Sequence, residues 1–168
     1  MNEIVINSPI LEKYIRTFYP NYKIISSTTK CLDKESTKEE LNNENYHLIC
    51  LDYNLNHNME LLNNLSPEEK NKVEFLVNPV CGPGCSNRKE HYRLNSLYSL
   101  TYGKEYKLKN CIIKEGIFYP EPWPTRIYPN EIENYVNNDF HYFKLEGRTM
   151  SHLTILMIFA QYLIKDEY

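Results

Sequence analysis

The sequence predicts an α/β fold, a parallel five-stranded βα half-barrel. Three observations predict it. Five short apolar runs recur along the chain, each followed by a stretch with helical spacing or a helix-cap signal. Strands alternating with helices imply a parallel sheet joined by right-handed crossovers. Each run also ends in polar residues, as strands do where their carboxyl ends face a site or solvent. Five strands are too few to close an eight-stranded barrel, although they suffice for an open sheet.

The first run is Ile4-Val5-Ile6-Asn7, and Ser8-Pro9 then reads as an N-cap followed by proline at the first helical position. Ile10, Leu11, Tyr14, Ile15 and Phe18 follow at helical spacing until Pro20 stops the helix. Tyr22 to Ile25 is the second strand and ends in the polar run Ser26 to Lys30, with a helix expected around Lys38 to Asn43. His47 to Leu51 is the third strand, ending at Asp52-Tyr53-Asn54, and a short helix is expected from about His57 to Asn64. Ser66-Pro67-Glu68-Glu69 is a further cap signal. Val73 to Val77 is the fourth strand, and a glycine-rich loop from Asn78 to Cys85 leads into a helix from about Asn87 to Ser99. Residues 101–126 read as irregular, with Pro120, Pro122 and Pro124. Pro129 opens a helix to about Val136, Tyr142 to Leu145 is the fifth strand, and the last helix runs from about Ser151 to Ile164. In that helix Leu153, Leu156, Met157 and Ala160 mark the stripe expected to be buried.

The chain has 168 residues, 42% of them hydrophobic and 24% charged, enough for a single domain with a core. A net charge of −3 argues against a nucleic-acid binder acting through bulk positive charge, though it leaves room for a local basic patch. No apolar run approaches the roughly 18–20 residues that span a bilayer, and the first residues lack a signal-peptide pattern, so the expected location is cytoplasmic. The odd number of cysteines, five, speaks against a disulfide framework.

The parallel topology places all strand ends on one rim, where Lys30, Asp52, Glu146 and Arg148 offer two cations and two carboxylates as candidate catalytic groups. Polar strand ends that merely meet solvent or cap helices account for part of this pattern. The sharper feature is Cys81-Gly82-Pro83-Gly84-Cys85, two thiols on a glycine-rich turn. Thiolates are soft ligands for zinc or an iron–sulfur cluster. Cys81, Cys85 and Cys111, with His91 or an outside group, could complete a four-ligand set. Cys31 and Cys50 read as plain core thiols, and Trp123 as cover for one end of the sheet.

Val77-Asn78-Pro79-Val80-Cys81 through Cys85, then Arg88 and His91-Tyr92, and later Phe143-Lys144-Leu145-Glu146-Gly147-Arg148, resemble the collagenase-like peptidase family. That family includes proteins of oxygen-independent ubiquinone hydroxylation and of transfer- and ribosomal-RNA hydroxylation. The resemblance covers roughly residues 47–150. It implies a partial TIM-like barrel matching the last five strands, a 4Fe–4S cluster on Cys81, Cys85 and Cys111, and RNA or a small aromatic metabolite as substrate. Five strands leave Ile4–Asn7 and Tyr142–Leu145 as open edges, so a second copy or a partner chain that completes the barrel is expected. The alternative expectation is a zinc-stabilised partner-binding module or an inactive, truncated homologue.

Overall fold

The computed structural model describes residues 2–102, 123–147 and 150–164. Five strands, β1 (Glu3–Ile6), β2 (Lys23–Ser26), β3 (Leu48–Cys50), β4 (Val73–Leu76) and β5 (Tyr142–Lys144), form one sheet. All four pairings are parallel and the strand order is β1-β2-β3-β4-β5. A sheet in which each strand pairs with the next in sequence is singly wound. Right-handed crossovers then stack the helices on one face and leave the opposite face as the inside of a partial barrel.

The helices follow from local chemistry. Helix α1 (Pro9–Phe18) starts at the Ser8 N-cap, whose hydroxyl accepts from the Leu11 N–H at 3.4 Å. Helix α2 (Lys34–Leu41) begins earlier than the expected Lys38, because Asp33 caps it by accepting from the Ser36 N–H. Helix α3 (Met59–Asn63) is capped by Asn58, and α4 (Pro67–Lys70) by a full Ser66–Glu69 capping box. Helix α5 (Arg88–Leu100) follows the cysteine loop, and α6 (Ile132–Val136) precedes β5. Helix α7 (His152–Leu163) closes the described chain.

Side-chain alternation divides the sheet. Ile6, Ile24, Ile49, Val73 and Phe75 point toward Ile15 of α1, Leu41 of α2, Leu61 and Leu62 of α3, and Tyr135 of α6. Phe75 is the hub of this face, with Tyr135, Phe140 and Phe143 at ring separations of 5.0, 5.1 and 5.9 Å. Truncating so enclosed a ring costs about 3–5 kcal/mol. Ile25, Leu48, Cys50 and Leu76 line the opposite face, beside Tyr53 and Cys81. On that inner face Lys144 pairs with Glu74 at 3.1 Å.

The buried stripe of α7 differs from the one the spacing predicts. Leu153, Leu156 and Met157 are 68, 65 and 65% exposed, whereas Ile155, Ile158 and Tyr162 are half-buried. The helix is apolar nearly all round, so periodicity cannot choose a face. The Tyr162 hydroxyl chooses it, donating to the Ile127 carbonyl at 3.0 Å. Helix α1 likewise buries only Ile15 and leaves Ile10, Tyr14 and Phe18 exposed.

Candidate functional site at the carboxyl ends of the strands

The site is built around an ion pair. Asp52 lies two residues past β3 and Arg88 opens α5, and each side chain is only 5% exposed. Both guanidinium Nη atoms donate to the Asp52 carboxylate, which also accepts from the Asn54 backbone and side-chain N–H groups at 3.0 Å. A charge this far from water needs such saturation. The third donor of the fork, Arg88 Nε, points to Cys31 Sγ at 3.0 Å. The guanidinium also lies over the Tyr53 ring, 4.3 Å from its centre.

Three loops converge here. Cys31 follows β2 and adopts a left-handed backbone, φ +53°, which for a non-glycine residue is strained by roughly 1–2 kcal/mol. Asn54 joins the β3 end to the cysteine loop, since its Oδ1 accepts from the Gly84 N–H at 3.0 Å. Gly84 has φ +62°, a conformation that glycine adopts without cost. Cys31, Asp52, Cys85, Arg88 and Lys89 wall a cavity of about 340 Å³.

Cys81 sits on the inner side of the same loop, against the apolar cluster. Tyr53, 1% exposed, turns its hydroxyl toward Cys81 and Tyr92 without a hydrogen bond of normal geometry. Burial, reinforced by the neighbouring thiol, pushes the Tyr53 phenol far above its ordinary range. Tyr92 is pushed up to about 12, first by burial, with Arg88 opposing and Cys81 and Cys31 adding to the rise. Both phenols therefore stay protonated at neutral pH. Cys31, Cys81, two neutral phenols and a buried guanidinium thus neighbour one another at this rim. That donor set can hydrogen-bond to thiolate sulfur, which suits a soft metal, and the unpartnered Tyr53 hydroxyl is the orphaned group such a charge would satisfy.

The sequence-derived candidates divide around this centre. Asp52, Cys81 and Cys85 belong to it. Lys30 stands at its edge, its ammonium donating to Glu40 at 2.6 Å and to Tyr46 at 3.0 Å. Glu146 is exposed and ties β5 to the loop: its carboxylate accepts from the Val80 N–H, and its backbone exchanges two hydrogen bonds with Asn78. His91 is half-buried on α5. Cys111 and Arg148 lie outside the described residues. Among the described residues no three Cys, His, Asp or Glu side chains come together as metal ligands. Cys81, Cys85 and His91 are therefore not a ready trio. Cys50 is the buried apolar thiol expected of it, pushed up to about 12 by burial and by Glu74.

Sequence reasoning missed Cys31 and the roles of Arg88, Tyr53 and Tyr92. One signal was available: a buried strand-end aspartate requires a cation, and Arg88 is the first residue of the helix that follows the neighbouring strand β4.

No helix among the described residues is long and apolar enough to cross a membrane. Compared with models of protein families, with curated proteins and with solved structures, the chain matches none.

Proposed function

We infer that this chain is a metal-dependent barrel-type protein related to the collagenase-like peptidases, with a 4Fe–4S cluster at the carboxyl rim. Cys81, Cys85 and Cys111 are its ligands in this reading, and RNA or a small aromatic metabolite is its substrate. The observation that supports it is the buried, unsatisfied Tyr53 hydroxyl beside Cys81. Outer groups of this kind set the charge and potential of thiolate-bound iron. A structural zinc site on the same thiols is the second reading, favoured by the stapling of three loops at this one place.

The test is metal and sulfide analysis of protein purified without oxygen. Iron with matching acid-labile sulfide, lost in Cys81→Ala, supports the cluster. Zinc without sulfide supports the second reading. A metal-free protein that folds normally refutes both.

A further inference from the structure

A second and larger cavity, about 750 Å³, opens on the same rim. Its wall includes Asn7 and Ser8 after β1, Thr29 and Lys30 after β2, and Lys89 and Arg93 of α5. No carboxylate lines it among the described residues. We propose that this cavity binds the phosphate of a small phosphomonoester, through Lys89, Arg93 and the hydroxyl and amide groups around them.

The charge arrangement supports an anion. Lys30 is held by Glu40, and Arg93 pairs with Glu90 at 2.7 Å, and neither glutamate is among the described residues that line the cavity. Lys89 makes no salt bridge among the described residues. Lys30, fixed by Glu40 and Tyr46, contributes field rather than a flexible contact. The first turn of α1 adds the positive end of a helix to the same space, with Ser8 as its cap. The rest of the wall is neutral: the Asn7 amide donates to Thr29 Oγ1 at 2.6 Å, and the Ser96 and Ser99 hydroxyls donate to the Tyr92 and Asn95 carbonyls, leaving their oxygens on the wall.

The size and setting select the class of ligand. A volume of this order suits a nucleotide-sized molecule rather than a polymer track. The net charge of −3 also disfavours a polyanion held by bulk attraction. Tyr92 lines this cavity and also neighbours Tyr53, and Lys89 lines both this cavity and the smaller one beside the thiols. The proposal does not depend on what the thiols hold.

Isothermal titration with inorganic phosphate, a nucleoside, its 5′-monophosphate and a short oligoribonucleotide with unphosphorylated ends tests it. The expected result is binding of phosphate and the monophosphate but not of the nucleoside. Lys89→Ala and Arg93→Ala, both at exposed positions, should each weaken that binding at least threefold, and together at least tenfold. Lys13→Ala, on the exposed side of α1, should leave it unchanged. Absence of phosphate binding overturns the proposal, as does equal loss in Lys13→Ala. Binding of the oligoribonucleotide without the monophosphate also overturns it, in favour of a backbone-reading surface. Because no cysteine is altered, failure here leaves the metal reading standing, and a metal-free protein leaves this one standing.

Discussion

Replacing Arg88 with methionine keeps the length of the side chain and removes its charge. Asp52 then loses two of the four donors that reach its carboxylate, retaining the Asn54 backbone and side-chain N–H groups. With the carboxylate 5% exposed, an uncompensated charge of this kind costs about 3–5 kcal/mol. Asn54 supplies half the hydrogen bonds, which places the loss near the lower bound, about 3 kcal/mol. The contact with Cys31 and the stacking on Tyr53 also disappear, the latter contributing about 1 kcal/mol. Urea unfolding at neutral pH measures the sum. Adding Asp52→Asn to Arg88→Met should restore a good part of it, because the amide carries no charge to strand. A loss below about 1 kcal/mol in Arg88→Met, or no recovery in the double variant, would refute the argument that this pair is buried and obligatory.

The other expectations concern the remaining networks. Tyr162→Phe should cost about 1 kcal/mol through the lost bond to the Ile127 carbonyl, while Leu156→Ser on the exposed side of α7 should change stability by less than about 0.5 kcal/mol. The reverse order would restore the stripe predicted from spacing. Cys50, raised to about 12 by burial, should resist iodoacetamide at neutral pH until the protein unfolds, and mass mapping of labelled peptides reads this out. The α1–α2 network should show opposite pH signatures at its two ends. Burial alone would raise Glu12, but the Tyr46 hydroxyl and Arg16 outweigh it and hold the carboxyl below its ordinary value of 4.5. Its stabilising effect is full above that value and disappears as pH falls through the lowered one. Burial alone would lower Lys30, but Glu40 and Tyr46 hold it above 10.5, so its effect is full below that pH and disappears as pH rises through the raised value. Glu12→Gln should flatten only the acid limb of a plot of urea midpoint against pH, and an unchanged acid limb would contradict the network.

The strands were legible because each apolar run is short, bounded by polar residues and separated by cap signals. Ser8-Pro9 and Ser66-Pro67 announce helices by a mechanism that acts within four residues, and both caps form. Alternation in the sheet was less legible, since parallel strands are buried on both faces and read as continuous apolar runs. The face buried by α7 was illegible for a similar reason: with apolar residues on every side, one tyrosine hydroxyl and two carbonyls decide it. At the site, the polar rim and the cysteine loop follow from local sequence. The ion pair and its thiol contact do not, because Arg88 lies 36 positions from Asp52 and 57 from Cys31, and the three meet only through the sheet order. Cys31 reads as a core thiol from its neighbours, and only the left-handed turn after β2 brings it to the guanidinium.

The most direct test of a thiol centre on this rim counts reactive cysteines in protein purified without oxygen, before and after removal of metal by acid or chelator. Cys81 and Cys85 should be protected in the untreated protein, although both are only half-buried, and should react once metal is removed. Release of iron and sulfide should run in step with that exposure. Equal labelling of both thiols in treated and untreated protein, with no metal released, would contradict the central claim.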